Sequence, residues 1–138
     1  MIAYIDSSVL LRLALGQRDR LAEWRTIERG VTSALVEVEC LRTLDRLRLA
    51  EGLPETELVR RRETVYRLLE SLEVVLPTAP ILSRAAQPLP VALGTLDAIH
   101  LATALAWREL SETDLTVATH DARLATAARA LGLHTIGV

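Results

Sequence analysis

Short apolar runs alternate with longer segments of helical character from one end of this chain to the other. The apolar runs predict five strands, at residues 2–5, 31–34, 72–76, 115–118 and 134–136. The segments between them predict helices at residues 9–15, 19–28, 35–50, 54–71, 78–86, 95–110 and 122–131. Strands that are apolar on both faces and are separated by helices form a parallel sheet covered by helices on both sides. The predicted fold class is therefore α/β.

Four acidic residues stand where predicted strands end or where predicted helices begin. They are Asp6, Glu39, Asp97 and Asp121. Because the carboxyl ends of parallel strands meet at one edge of a sheet, we expect these distant residues to lie close together. Neighbouring carboxylates repel one another unless a cation binds between them. The pattern predicts a site for a divalent metal ion.

Three of the acids also have a simpler explanation as part of a helix terminus. Asp6 and Asp121 are good N-cap residues, and Asp97 in a first helical turn complements the helix dipole. However, residues 96–107 are apolar nearly all round, interrupted only by Asp97, His100 and Thr103. An ionised carboxylate in such a buried helix is costly unless it is paired or bound to a metal. For Asp97 the functional explanation is therefore preferred.

Two positions on the predicted helices leave a choice open. Glu37 and Glu39 point to nearly opposite sides of helix 35–50, and Glu39 is the one beside the apolar stripe. His100 follows Asp97 by one helical turn and could act as a general base, but a satisfied core histidine is the preferred interpretation. His120 is expected in a loop, and Asp114 in a turn at the opposite edge of the sheet.

The composition excludes several classes of site. All sixteen basic residues are arginine, which excludes a Walker-type phosphate loop and Schiff-base chemistry. The single cysteine, Cys40, excludes an internal disulfide and a multi-cysteine zinc site, so a bound metal must have oxygen ligands. The net charge of −2 argues against a surface that is basic all over, but it allows a local basic path.

Length and hydropathy indicate one domain, spanning residues 1–138. No segment approaches the roughly 18 consecutive apolar residues of a membrane span. The first residues contain no basic leader and no cleavage-type signal. We therefore expect a cytoplasmic protein with no membrane partner.

Four motifs occur in a fixed order along the chain. They are Tyr4-Ile5-Asp6-Ser7-Ser8, Glu39-Cys40-Leu41-Arg42-Thr43, Leu96-Asp97-Ala98-Ile99-His100-Leu101-Ala102-Thr103-Ala104 and Thr119-His120-Asp121-Ala122-Arg123-Leu124. With these motifs the chain resembles the PIN-domain nucleases, and most closely the VapC-type toxin ribonucleases of type II toxin–antitoxin pairs. The resemblance extends over the whole length.

The resemblance implies a PIN-like three-layer sandwich and a metal-dependent endoribonuclease that hydrolyses RNA phosphodiester bonds. It implies that Asp6, Glu39, Asp97 and Asp121 are the catalytic residues and hold Mg²⁺, with Mn²⁺ as the alternative ion, and that the hydroxyls of Ser7 and Thr119 support them. Asp6 and Asp97 are the expected direct ligands. The alternatives are a PIN-type nuclease in RNA processing or DNA metabolism without an antitoxin, and a catalytically idle interaction module.

Partners follow from the resemblance and from apolar surface. A cognate antitoxin is expected to neutralise the enzyme, with its tail in a groove on helices 35–50 and 54–71, in a heterotetramer or a larger complex. A homodimer is also expected, through helices 78–86 and 95–110 and an exposed Trp107. The basic segment with Arg60, Arg61, Arg62 and Arg67 is interpreted as a solvated helix face, and RNA contact is the alternative.

Overall fold

The five predicted strands form one parallel sheet in this computed structural model, which describes residues 1–138. The strands are β1 (Ile2–Ile5), β2 (Arg29–Ser33), β3 (Glu73–Val75), β4 (Thr116–Ala118) and β5 (His134–Ile136). Their order across the sheet is β3-β2-β1-β4-β5, and every neighbouring pair is parallel. The predicted α/β class is confirmed.

Strand β1 lies at the centre of the sheet and is buried on both faces. Tyr4 pairs with Val31 of β2 on one side and with Val117 of β4 on the other. Since β1 and β4 both end at the same edge, the residues that follow them, Asp6 and Thr119, become neighbours. The backbone N–H of Asp6 donates to the carbonyl of Ala118 at 3.0 Å, which fixes this junction.

Six α-helices cover the sheet. They are α1 (Ser7–Ala14), α2 (Leu35–Glu51), α3 (Glu55–Glu70), α4 (Ala79–Ala85), α5 (Thr95–Ser111) and α6 (Ala122–Ala130). Helix α2 ends at Gly52, whose φ of 64° is a left-handed conformation that glycine adopts without strain.

Two apolar clusters fill the spaces on either side of the sheet. Tyr4 points into the first, where α5 and α6 contribute Leu101 and Leu124. Its neighbours Ala3 and Ile5 point into the second, which receives side chains from α1, α2 and α3. This alternation along one strand produces three layers, helices on sheet on helices.

Two predictions about this scaffold are wrong. The predicted helix at residues 19–28 is only a short 3₁₀ helix, Ala22–Thr26. Trp107, expected to be exposed, is buried: its indole Nε1 donates to Glu73 Oε1 at 2.9 Å, and the Arg29 guanidinium lies 5.3 Å from the ring centre. None of the helices is long and apolar enough to cross a membrane.

Candidate active site

Asp6 is the most firmly held of the four acids. It caps α1 by accepting the Ser7 N–H at 2.8 Å, and it is 3% exposed. Its second carboxylate oxygen accepts from Ser8 Oγ at 2.7 Å and from Thr119 Oγ1 at 2.8 Å. All of these donors are neutral, so they orient the carboxylate without cancelling its charge.

Glu39 reaches the same edge from the side of α2. Its Oε2 accepts from Ser7 Oγ at 3.1 Å, so that one hydroxyl lies between Glu39 and Asp6. Glu37 is exposed on the other side of the helix. The structure therefore brings Glu39, and not Glu37, to the acidic residues.

His100 is fully buried and is hydrogen-bonded at both ring nitrogens. Nε2 lies 2.5 Å from Glu39 Oε1 and 3.8 Å from Asp6 Oδ1, and Nδ1 lies 2.7 Å from the hydroxyl of Tyr4. Burial alone would lower the pKa of His100, but the hydrogen bond to Glu39 and the charges of Asp6 and Glu39 raise it above its ordinary value. His100 is a satisfied core histidine, as the sequence indicates, but one of its partners is a site carboxylate.

Asp97 lies half-buried in the first turn of α5. Burial raises its pKa above the ordinary value, and the charges of Asp6 and Asp121 raise it further. Asp97 thus lies within electrostatic reach of the other acids, and its ionised form is disfavoured there.

Asp121 opens α6 directly after β4. Its Oδ1 accepts from the backbone N–H groups of Arg123 and Leu124, at 2.8 and 2.9 Å, and its own N–H donates to Thr119 Oγ1 at 3.0 Å. Thr119 therefore connects Asp121 to Asp6 through one hydroxyl. We call the sheet edge that carries Asp6, Glu39, Asp97 and Asp121 the acidic edge.

The side chains at the acidic edge suit a hard divalent cation by their chemistry, because every acid offers carboxylate oxygen. As placed, however, no group of three or more Asp, Glu, His or Cys side chains is close enough together to hold a metal ion. The oxygens of Asp6 and Glu39 are engaged by hydroxyls and by His100. The acidic edge is thus a set of neighbouring carboxylates and not a closed ligand cage.

Two residues that hold side chains of the site in place, Ser8 and Tyr4, were not predicted from the sequence. Ser8 donates to Asp6 and also accepts the backbone N–H of His120 at 2.9 Å, and Tyr4 bonds His100. A tyrosine in an otherwise apolar strand needs a buried partner for its hydroxyl, and this requirement was the sequence signal for a buried polar residue near Tyr4.

Burial, with the charges of Glu39 and Asp6, raises the pKa of Cys40 to about 12, so this thiol is not a nucleophile.

The other polar residues singled out in the sequence are not among the four acids of the site. Arg60 and Arg61 are paired with Glu57 on the surface of α3. His120 lies in the loop between β4 and α6; its Nδ1 donates to the carbonyl of Gly137 at 2.8 Å, and its buried Nε2 has no partner. Asp114 precedes β4 and so lies at the opposite end of the sheet.

A groove of about 330 Å³ begins beside Ser7 and Glu39. Its lining consists of Ser7, Leu11, Leu35, Val38, Glu39, Arg42, Thr43, Arg46 and Leu96. The sequence placed the apolar groove on α2 and α3, but α3 contributes nothing to it. Leu58 and Leu68 of α3 pack against the core instead, and the groove lies between α1, α2 and the start of α5. We call it the α1–α2 groove.

Known proteins with similar sequences are named as ribonucleases. Ribonuclease VapC35 of Mycobacterium tuberculosis is 40% identical over 135 residues, which cover 94% of this chain and 92% of that protein. Ribonuclease VapC46 of the same organism is 35% identical over 136 residues, covering 96% and 95%.

Solved structures show the same fold at lower sequence identity. FitAcB from Neisseria gonorrhoeae superimposes with a TM-score of 0.71 at 20% identity, covering 99% of this chain and 96% of that one. VapBC2 from Rickettsia felis, solved with a DNA fragment of its promoter, gives 0.68 at 13% identity, covering 98% and 97%. The sequence model of the PIN domain matches residues 3–130, and with this match the chain belongs to the PIN-domain family.

Proposed function

We propose that this chain is an endoribonuclease toxin that depends on Mg²⁺ or Mn²⁺ and is neutralised by an antitoxin. The observation that carries the proposal is the position of Asp6, Glu39, Asp97 and Asp121 near one sheet edge, with the buried His100 in contact with Glu39. The relatives named as ribonucleases support RNA as the substrate.

Asp6 and Asp97 are proposed as the direct metal ligands, with Glu39 and Asp121 completing the site through water or at a second ion. When bound, a divalent ion activates water for attack and offsets the charge that develops on the phosphate. Ser8 and Thr119 fix the orientation of Asp6, and Ser7 fixes that of Glu39. No side-chain nucleophile is required, in agreement with the buried and protonated state of Cys40.

The α1–α2 groove is the proposed docking site for the antitoxin. It combines apolar side chains with Glu39 at one end, so an amphipathic segment could lie in it and direct a basic side chain to the acidic edge. The similar solved structures are largely toxin–antitoxin assemblies, which supports such a partner.

Asp6→Asn and Asp97→Asn test the proposed site directly. Each variant should lose cleavage of labelled RNA by at least about 100-fold in Mg²⁺ or Mn²⁺, because each removes charge where the ion binds. Without metal, Asp97→Asn should also raise the melting temperature by about 2 °C, since a half-exposed charge with a raised pKa opposes folding only weakly.

The matched control is Glu37→Gln, which removes an exposed carboxylate from the opposite side of the helix that carries Glu39. It should cleave as the wild type does. Full activity in Asp6→Asn would contradict the site assignment. Wild-type protein that cleaves single-stranded DNA and not RNA would indicate a DNA nuclease, and protein that cleaves neither would indicate an idle interaction module.

A further inference from the structure

A surface cavity of about 580 Å³ lies between the end of α1 and the 3₁₀ helix Ala22–Thr26. Its lining includes three arginines, a tryptophan and two leucines: Arg18, Arg20, Arg25, Trp24, Leu13 and Leu21. No acidic side chain lines it. We call this cavity the arginine pocket.

The arginines of this pocket differ from most others in the chain because they are not used by the fold. Twelve of the sixteen arginines donate a side-chain hydrogen bond to a carboxylate, hydroxyl or carbonyl of the protein. The other four are Arg18, Arg20, Arg25 and Arg67. Three of these four line the same pocket, so its positive charge is available to a ligand.

Neither acid within this segment, Asp19 or Glu23, forms an ion pair with these three arginines. Asp19 lies between Arg18 and Arg20 in the sequence, but its carboxylate is paired with Arg12 at 2.8 Å. A protein of net charge −2 thus keeps three unpaired guanidinium groups around one cavity. Guanidinium groups match phosphate oxygens in geometry as well as in charge.

Trp24 adds an aromatic wall to the pocket. One part of its side chain packs against the core cluster that contains Ile5 and Leu10, and another part lines the cavity. A half-buried indole held in this way loses little freedom when a planar group stacks on it. Stacking on aromatic side chains, combined with arginines for the phosphates, is how proteins bind single-stranded nucleic acid without reading its sequence.

The arginine pocket is continuous with the acidic edge. A second cavity of about 280 Å³ shares Arg20, Leu21 and Ala22 with it and extends to His120. Asp19 and Glu23 also line this second cavity, so the path between the two sites carries both signs of charge. His120 precedes Asp121, and its backbone N–H is bonded to Ser8, which in turn bonds Asp6. A strand of nucleic acid leaving the acidic edge can therefore follow this surface to the three arginines.

We propose that the arginine pocket is a substrate-binding subsite that holds phosphates and one base of single-stranded RNA, next to the bond that is cleaved at the acidic edge. The inference rests on the proposed ribonuclease function and adds the direction in which the substrate lies. The acidic edge repels RNA at long range, and the subsite supplies the compensating attraction.

The test compares two triple variants with the same change in charge. One carries Arg18→Gln, Arg20→Gln and Arg25→Gln; the control carries Arg48→Gln, Arg67→Gln and Arg129→Gln, on α2, α3 and α6. Fluorescence anisotropy in EDTA measures binding of a fluorescein-labelled single-stranded RNA, so that cleavage plays no part. The pocket variant should bind at least about tenfold more weakly, and the slope of log affinity against log salt should fall by about 2, whereas the control should change far less.

Two further measurements use the same RNA. RNA should quench the emission of the wild type and not that of Trp24→Phe, whose remaining indole, Trp107, is buried. In Mg²⁺, the pocket variant should raise KM for a long single-stranded RNA about tenfold and leave kcat within about twofold. The single variant Arg25→Gln should show a smaller change in the same direction. It tests the subsite even if the triple variant fails to fold.

Failure of the subsite and failure of the proposed function give different results. Equal affinity and equal salt slope in the two triple variants, with cleavage by the wild type intact, would overturn the subsite alone. A wild type that neither cleaves nor binds RNA would overturn the function and the subsite together. A pocket variant that binds RNA normally but loses an acidic partner protein would assign the arginine pocket to protein recognition and overturn the proposal.

Discussion

At the scale of single residues, a buried histidine separates two of the carboxylates at the acidic edge. His100 contacts Glu39 directly and approaches Asp6, while Tyr4 holds its other ring nitrogen. When the ring is protonated, it offsets part of the negative charge that the metal-free protein would otherwise carry there. A protonated His100 therefore reduces the repulsion between Asp6 and Glu39.

This arrangement predicts how stability depends on pH in the metal-free protein. Because the pKa of His100 in the folded protein lies above its ordinary value of 6.5, the folded state binds the proton more tightly than the unfolded state. Its contribution to the free energy of unfolding is complete below pH 6.5 and is lost as the pH rises through the folded pKa. In EDTA, the melting temperature of the wild type should thus fall more steeply above pH 6.5 than that of His100→Gln.

The control for this measurement is His134→Gln, which removes an exposed histidine from β5. Its melting temperature should follow the wild type across the same pH range. Asp97, whose pKa is also raised, contributes the same sign of slope in all three proteins. Parallel curves for the wild type and His100→Gln would contradict the raised pKa of His100, because they would show that folding does not increase its proton binding.

At the scale of secondary-structure elements, the error at residues 19–28 has a physical cause. Leu21, Trp24 and Ile27 recur every three residues, and this spacing fits a 3₁₀ helix with three residues per turn as well as an α-helix. Leu21 is buried, and the other two pack against the same core cluster. Apolar periodicity identified the buried face but could not distinguish the two helix types.

The elements around the acidic edge were predictable because their signals are local. An apolar run followed by Asp6-Ser7-Ser8, or Thr119 and Asp121 before α6, contains a strand end and a helix cap in adjacent residues. The environment of Trp107 was not predictable in this way, because its partners Glu73 and Arg29 come from two other strands. The contact between His100 and Glu39 depends on packing between α5 and α2 and was missed for the same reason.

A prediction at this scale concerns the α1–α2 groove. Val38 lies on α2 within the groove and is 60% exposed, so an apolar antitoxin segment should cover it. Val38→Asn leaves the charge unchanged but places a polar amide against that segment, and should weaken antitoxin binding by about tenfold. Isothermal calorimetry with the cognate antitoxin measures the effect.

The matched control is Leu49→Asn, because Leu49 is 71% exposed on the same helix and does not line the groove. It should bind the antitoxin as the wild type does. RNA cleavage should persist in both variants, since neither residue is an acid of the site. Equal loss of antitoxin binding in the two variants would place the docking surface elsewhere on α2.

At the scale of the whole molecule, charge and apolar surface are separated. The acidic edge lies at the carboxyl ends of the strands, the α1–α2 groove begins there at Ser7 and Glu39, and the arginine pocket lies between the end of α1 and the 3₁₀ helix. A third region, on α4 and the start of α5, is apolar: a cavity of about 290 Å³ is lined by six hydrophobic residues and one threonine. None of the four acids lines this cavity.

We predict that the chain forms a homodimer through α4 and α5, without Trp107, which is buried. Leu82 of α4 lines the apolar cavity and is 44% exposed, and a two-fold contact would bury it against the same surface of the partner. Leu82→Glu should therefore convert the dimer to a monomer, because a charge in an apolar interface is left unpaired. Light scattering at micromolar concentration gives the mass. The control is Val59→Glu, which places the same charge on the exposed surface of α3 and should remain dimeric. A wild type that stays monomeric even with RNA and metal would contradict the dimer.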